Sequence, residues 1–367
     1  MFATYRTAIG VLLFAGFESI AGAQSHPAVP PGPDNFYIGT PAGWVHPKTP
    51  WGDPDLQGVY PENFVGSVPM QRCVGRGRGG AAACDPQKAF LTEEEFKAAQ
   101  TRFEKAPDQF KNAEQEGQAG RQFLRGVTDP EPPQRQTSLI FDPPDGKFPE
   151  MTLEGKKQGE AMKSGWAMAG EHLIFNSYQD FDLKDRCVTH GMPASMLPFH
   201  YNNGIQIFQV PGQVIIFIEM IHDVRIIPLN DNTPVPAKVQ QWLGFSRGHW
   251  EGNTLVVETT NVKPGAMMVN SAMPGTPQIH IPTSDKMKIT ERFTRINNDY
   301  LIYEIKTEDP VVLTHSWTAR MPWKNDPNYK LLEYACHEDN RMVRDWITVS
   351  RAEQEGRTGP NVKVPQK

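Results

Sequence analysis

An otherwise apolar run, from Gln213 to Pro228, contains Glu219, His222, Asp223 and Arg225. A charge buried without a partner is very costly, so each of these groups must be paired or must face a cavity. In a cavity, the planar fork of Arg225 would suit a substrate carboxylate, and Glu219 or His222 would transfer a proton. The structural alternative is an ion pair at a barrel rim, for example Asp223–Arg225 closing a bulge. The run predicts a catalytic set of Glu219, His222 and Arg225, with Arg225 also binding substrate.

The segment from Phe199 to Pro228 holds two β-branched runs around Pro211-Gly212, which is a turn signal. Side chains alternate along a strand, so Glu219, Asp223 and Arg225 are predicted to share one face. His222 falls on the other face unless a bulge intervenes. We predict that this hairpin carries the site.

Two aromatic residues enter the same hairpin. Tyr201 shares its alternation with Asn203 and Ile205, and its hydroxyl could orient or protonate a substrate. His200 beside it is a candidate substrate contact. The structural alternative for Tyr201 is a strand-entry aromatic with a satisfied hydroxyl.

Further candidates lie later in the chain. Arg247, His249 and Glu251 recur at period two, a pattern typical of a solvated strand face, although His249 remains a candidate general acid or base. Tyr334 lies close to Cys336 and would be held rigidly if that cysteine is bridged. Trp317 could line a cavity for an aromatic ligand, although such residues usually belong to the core.

Turn signals separate many short β-type runs after residue 172, including 203–210, 213–228, 254–262 and 300–307. Trp250-Glu251-Gly252-Asn253-Thr254 predicts a tight hairpin. Consecutive strands without intervening helices favour an antiparallel meander that closes into a β-barrel, because closure removes exposed edges. Further strands are predicted at 173–178, 240–251, 286–297, 312–320, 329–338 and 345–350.

The part before the β region differs in composition. Thr92 and Glu95 form a capping box that begins a helix over 91–118, with weaker helical signals at 115–124 and 151–170. The predicted organisation is a signal peptide (1–23), a Pro-rich arm with a disulfide loop (24–90), a helical extension and lid (91–170), a β-barrel domain (171–352) and a C-terminal tail (353–367).

The N-terminus predicts export. Arg6 precedes a short apolar run, Ala8–Phe17, and Ala21-Gly22-Ala23 is typical of a cleavage site, so we expect a periplasmic or secreted protein cleaved near Ala23. The alternative is an anchor that stays attached. No later run is long enough to span a membrane. A net charge of −5 gives no attraction to nucleic acid.

An oxidising compartment favours disulfides, and four cysteines allow three connectivities. We predict the pairs Cys73–Cys84 and Cys187–Cys336. The rival interpretation is a metal site, but no Cys-x-x-Cys or compact Cys/His spacing is present, so no metal is expected. A phosphate-binding loop and a Gly-x-Ser-x-Gly elbow are also lacking, and no cofactor is expected.

Four segments, RCVTHGMP (186–193), EMIHDVRII (219–227), SRGHWEGNTLVVETT (246–260) and EYACHEDN (333–340), together resemble a family of exported bacterial proteins. The resemblance covers most of the mature chain and implies a calycin- or lipocalin-like β-barrel with an N-terminal extension. It implies no reaction. By fold-level analogy, such barrels include the cofactor-free phenolic acid decarboxylases, whose catalytic residues have no position-by-position match here.

Three functions are compatible with these features. The first is a cofactor-independent lyase, most plausibly a decarboxylase of a lignin-type aromatic acid. The second is a lipocalin-like carrier that binds a small apolar or aromatic ligand without chemistry. The third is a structural domain with a side-chain-filled barrel. A small aromatic acid is the expected partner, and a homodimer is compatible with the sequence.

Overall fold

The computed structural model describes residues 38–62, 68–73, 85–105, 133–165, 173–199, 202–269 and 280–357. Within these ranges the protein is mainly β. Strands β1 to β10 span, in order, Gly58–Pro61, Ile140–Asp142, Gly204–Val210, Gln213–Ile218, Asp223–Pro228, Phe245–Glu251, Thr254–Thr260, Lys288–Arg295, Tyr300–Glu308 and Trp317–Lys324. Helices α1, α2 and α3 span Glu93–Glu104, Leu153–Ala161 and Met342–Gln354.

The strands form two antiparallel sheets. One has four strands in the order β1-β3-β4-β5, and the other has six in the order β2-β10-β9-β8-β7-β6. Most neighbours in space are also neighbours in sequence, which confirms the predicted meander. The predicted hairpin at Gly252 is present, with a left-handed backbone at that glycine (φ 62°).

The two sheets approach each other at two edges. Leu229, after β5, pairs with Gly248 of β6 through an isolated parallel bridge. On the other side, the amide of Asp326, after β10, donates to the carbonyl of Val59 in β1 (2.8 Å). These are single contacts rather than ladders. The predicted closed barrel is therefore absent from the described residues, and two sheets stand in its place. Pro228, the last residue of β5, has no backbone N–H and so cannot donate a hydrogen bond to a neighbouring strand.

The space between the sheets is filled by side chains. Apolar residues alternate along the facing strands, as the period of a strand requires. Tyr303 stacks on Trp323 with ring centroids 4.3 Å apart, and Phe293 packs against Tyr303 at 4.8 Å. Trp317 is fully buried. Large aromatic rings thus occupy the region where the sequence suggested a ligand cavity.

The predicted Pro-rich arm begins to be described at residue 38. Its end forms β1, whose Tyr60 pairs with Ile205 of β3. Leu56 and Tyr60 are fully buried, whereas Trp51 is 37% exposed. Helix α1 starts with the predicted capping box of Thr92 and Glu95 and ends at Glu104. The helical segment predicted at 115–124 lies outside the described residues.

Several predicted strands are wrong. Residues 173–178 and 329–338 form no strand, and 345–350 lies inside α3. The β-branched residues around 347–349 favour a strand locally, but the packing of Trp346 on Phe175 (ring centroids 5.5 Å) uses a helical face. The long strand predicted over 213–228 is broken between β4 and β5.

Candidate functional site

The break between β4 and β5 separates residues that the sequence placed on one face. Ile221 and His222 both adopt left-handed backbone conformations, with φ of 59° and 49°. A β-branched residue rarely adopts this conformation, so the surrounding packing must impose it on Ile221. The tight turn directs Glu219 and Arg225 to different partners, so Glu219 does not share a face with Arg225. Asp223 and Arg225 lie two residues apart in β5 and do share one, as predicted.

Glu219 is fully buried and accepts four hydrogen bonds. One carboxylate oxygen accepts from the Asn202 side chain (3.1 Å) and the Leu332 amide (2.8 Å). The other accepts from the Gly204 amide (3.0 Å) and the Tyr329 hydroxyl (2.8 Å). The carboxylate thus joins β3 to the segment 329–332, and its lone pairs are occupied by the protein itself.

Arg225 joins the two sheets. Its guanidinium makes a two-point contact with Glu291 of β8, including a 2.8 Å bond from Nη1. Its Nη2 also donates to Ser246 (3.0 Å) and Thr259 (3.3 Å). The Tyr303 hydroxyl completes the network by donating to Glu291 (2.8 Å). The partner of Arg225 is therefore Glu291, and not the Asp223 considered from the sequence.

An open groove of about 780 Å³ lies beside β5, between this strand, the turn at 188–189 and the segment 231–247. Its volume is in the range of small-molecule sites. Val188, Val224 and Ile226 form part of its wall and are 42%, 48% and 60% exposed. Trp242, Leu243 and Phe245 contribute further apolar surface. Such exposure of large apolar side chains together marks a candidate binding surface.

The outer wall of the groove is held in place by backbone contacts. The side chain of Asn261 donates to the carbonyls of Pro236 and Val239, both at 3.0 Å. Gln241 exchanges backbone hydrogen bonds with Asn261 and Lys263. At Gly244 (φ 68°) a Cβ atom would lie 2.6 Å from the Thr260 carbonyl, so this turn requires glycine. The groove is therefore preformed.

Charged groups are placed around this apolar surface. Asp223 accepts from the Thr189 hydroxyl (2.6 Å), and burial raises the pKa of Asp223 to about 6. Arg247 donates to the Thr233 carbonyl, and its Nε has no hydrogen-bond partner in the described part of the chain. Lys263 lies 4.4 Å above the ring of Trp242, within cation–π range. The groove thus combines cations with one carboxyl that is readily protonated.

The disulfide Cys187–Cys336 is present, with Cα atoms 5.5 Å apart, as predicted. Near it, Nδ1 of His222 lies 3.0 Å from the Tyr334 carbonyl. His222 and Tyr334 therefore meet through the Tyr334 backbone, outside the groove lining. Cys73 is disulfide-bonded, and its predicted partner Cys84 lies outside the described residues.

The remaining predicted site residues are scattered. His249 is partly exposed, 3.4 Å from Glu251, on the solvated face expected for that pattern. Trp317 belongs to the core, where its indole N–H lies 3.4 Å from the sulfur of Met268. His200 and Tyr201 lie outside the described residues. Among the predicted site residues that the structure describes, Arg225 alone lines the groove.

Sequence reasoning missed Glu291, Trp242 and Lys263. Glu291 could have been recognised from the sequence as a buried charge, because it alternates with Ile289 and Phe293 on one strand face, which is buried. A charge on such a face requires a partner. Trp242 and Lys263 come together through the turn at 241–244 and gave no local signal.

No protein-family model, curated protein or solved structure matches this chain. In the described part of the chain, no group of three His, Cys, Asp or Glu side chains is arranged to hold a metal ion. Among the same residues, no helix is both long and apolar enough to cross a bilayer.

Proposed function

We propose that this protein binds a small amphipathic anion with an aromatic or apolar body in the groove beside β5. The observation that carries the proposal is the combination of a preformed groove of about 780 Å³ with exposed apolar side chains and cations. Val224 and Ile226 would contact the apolar body. Arg247 and Lys263 would contact the anionic group, since guanidinium and ammonium groups donate to carboxylates.

The sequence suggested a carrier that binds its ligand inside a barrel. The ligand site proposed here lies instead at the edge of a sheet, in the groove beside β5. Aromatic rings fill the interior, and Glu219 and Arg225 are hydrogen-bonded to other residues of the protein. The interior is therefore a poor site for a ligand. A carrier requires an apolar surface and an anchor, and both are present in the groove.

Ligand binding is tested by calorimetric titration with a panel of hydroxylated aromatic acids. Ile226→Ser should weaken binding at least severalfold because it removes apolar wall. Phe208→Ser is the matched control, since Phe208 is exposed (41%) on β3 of the same sheet and does not line the groove. Equal affinities for both variants and the wild type would contradict the proposal.

The second candidate function is that of a lyase, and the observation that favours it is the position and raised pKa of Asp223 at the groove. A carboxyl with a pKa of about 6 at the groove can hold a proton beside a bound acid. In a decarboxylation, the bond to the carboxylate breaks, carbon dioxide leaves, and the electron pair left on carbon takes a proton from Asp223. Product mass and carbon dioxide release with the same acids test this. Asp223→Asn should abolish turnover, whereas binding without any product would leave the carrier function alone.

We also propose that the architecture is related to calycin-like barrels. The edge contacts Leu229–Gly248 and Val59–Asp326 support this, because they bring the two sheets together at the positions where a barrel would close. A crystal structure tests it by showing whether these contacts extend into ladders.

Export to an oxidising compartment is the remaining part of the proposal. The Cys187–Cys336 disulfide supports it, since such bonds persist in oxidising compartments. Cell fractionation and mass spectrometry of the mature N-terminus test it, with Gln24 as the expected first residue. A reduced protein with its first residues intact in the cytoplasm would contradict it.

A further inference from the structure

A second, small chamber lies away from the groove. It is enclosed by the end of β1, the turn 190–199, and the inner faces of β3 and β4. Ile205, Ile218 and Phe199 supply apolar lining. Its volume for a water-sized occupant is about 10 Å³. Roughly 10–15 Å³ by this measure is the room that one water molecule needs.

Polar side chains from separate parts of the chain converge on this chamber. Glu62, His190, Ser195 and Asn203 all line it, and they are 2%, 7%, 8% and 4% exposed. Each has a buried polar atom without a hydrogen-bond partner among the described residues: Glu62 Oε1, His190 Nε2, Ser195 Oγ and Asn203 Oδ1. A buried polar atom left unsatisfied costs about 1–3 kcal/mol. Four such atoms around one chamber therefore point to a shared hydrogen-bonding occupant.

We propose that the chamber binds one internal water molecule that is hydrogen-bonded to Glu62, His190, Ser195 and Asn203. A water molecule offers two donors and two acceptor sites, which matches this set. Asn203 Oδ1 accepts one bond, and the Ser195 hydroxyl donates one. His190 and Glu62 supply the remaining acceptor and donor, because a neutral imidazole nitrogen and a protonated carboxyl can each take either role.

The charge state of the lining suits a neutral occupant. Burial lowers the pKa of His190 to about 3, and burial raises the pKa of Glu62 well above its usual value. His190 is therefore neutral near pH 7, and burial favours the protonated, neutral form of Glu62. The water would join the end of β1 to the turn 190–195. The Glu62 amide itself donates to the carbonyl of Asn203, just before β3 (3.1 Å).

Ser195→Ala tests the proposal, with Thr307→Val as its matched control. The hydroxyl of Thr307 is also buried without a partner, but Thr307 lies in β9 and does not line the chamber. Removing an unsatisfied hydroxyl is neutral or stabilising, whereas removing one bonded to water is destabilising. We expect Ser195→Ala to lower the melting temperature by a few degrees and Thr307→Val to leave it unchanged or raise it.

A melting temperature of Ser195→Ala equal to or above that of the wild type would mean that the hydroxyl has no partner, and would overturn the proposal. A high-resolution crystal structure gives a direct second measurement. Electron density for a water within hydrogen-bond distance of at least three of the four atoms supports the site. A dry chamber overturns it, whatever the melting temperatures show.

Discussion

Arg225 and Glu291 form a two-point ion pair that crosses from the four-stranded sheet to the six-stranded sheet, with side chains 2% and 0% exposed. Their separation in sequence is 66 residues. The pair lies at the edge where the groove begins, because Arg225 and Ser246 both line the groove. The same contact thus connects the two sheets and supports one wall of the candidate site.

The first prediction concerns this pair. Glu291→Gln should lower the free energy of unfolding by about 3–5 kcal/mol, because it leaves the buried guanidinium without a counter-charge. Arg225→Lys should also destabilise, since a point charge cannot reproduce the two-point contact. Urea denaturation measures both. Ligand affinity per folded molecule should change little, because the guanidinium is already occupied by Glu291.

The exposed pair of Arg292 and Glu251 is the control for the first prediction. Its atoms are 2.9 Å apart, and the side chains are 40% and 50% exposed. Glu251→Gln should cost less than about 1 kcal/mol. The double variant Arg225→Met, Glu291→Leu should recover most of the lost stability. A strong loss of affinity in folded Arg225→Lys would instead restore Arg225 as the ligand anchor.

The second prediction concerns Glu219. In Glu219→Gln, an amide NH₂ replaces an oxygen that accepts two hydrogen bonds, so it would face two donors. We expect a loss of about 1–3 kcal/mol in unfolding free energy, with no effect on ligand affinity. Glu258→Gln is the control, because Glu258 pairs with Lys288 at an exposed position. Unchanged stability with lost activity would show that Glu219 is catalytic, as the sequence suggested.

The sequence predicted local features well and long-range partners poorly. Thr92 and Glu95 form the expected capping box because all its contacts lie within four residues. The Cys187–Cys336 bond was predictable because few pairings are possible. By contrast, the partner of Arg225 depended on strand register between two sheets. The turn at Ile221 was hidden because a β-branched residue gives no sign that its backbone will be left-handed.

The groove also could not be predicted from the sequence. Its outer wall is a Pro-rich segment that reads as an ordinary loop, and its shape depends on Asn261 binding carbonyls more than twenty residues away. From the sequence, Val224 and Ile226 would be expected to be buried, since a strand rich in valine and isoleucine is usually buried on both faces. Their exposure follows from their place on the outer face of the four-stranded sheet, which they share with the exposed Phe208 of β3.

The third prediction concerns acid stability. The pKa of His190 is lowered to about 3 by burial, with the charge of Lys184 as a smaller cause, while in the unfolded chain it is about 6.5. The unfolded state therefore binds the extra proton, and the contribution of His190 to stability is lost as pH falls from about 6.5 toward about 3. His190→Gln should lose less unfolding free energy than the wild type between about pH 7 and about pH 4.

The opposite pH dependence of Glu62 and a control variant help to isolate the effect of His190. Glu62 acts in the opposite direction, since its raised pKa makes the folded state lose stability as pH rises above about 4.5, so it does not mimic the effect of His190. His249→Gln is the control, because His249 is about half exposed. Parallel pH dependence in wild type and His190→Gln would show that His190 is protonated without opening the fold.

The fourth prediction concerns the pH dependence of ligand binding. Asp223 has a pKa of about 6 because it is buried, so it is neutral at lower pH and becomes negative as pH rises through this value. A bound aromatic carboxylate would then meet a like charge, which is worth about 1 kcal/mol or a severalfold loss of affinity. Calorimetric titration of an aromatic acid should therefore give a higher Kd at about pH 7.5 than at about pH 5.

Asp223→Asn should remove this dependence and retain tight binding at the higher pH, because the amide keeps the shape and stays neutral. Asp231→Asn is a control within the same groove: hydrogen bonds from Thr233 lower the pKa of Asp231, so it stays charged across the whole range. That variant should shift the affinity by the same factor at both pH values. A wild-type Kd that does not vary with pH would mean that the ligand anion lies away from Asp223, at the Arg247 end of the groove.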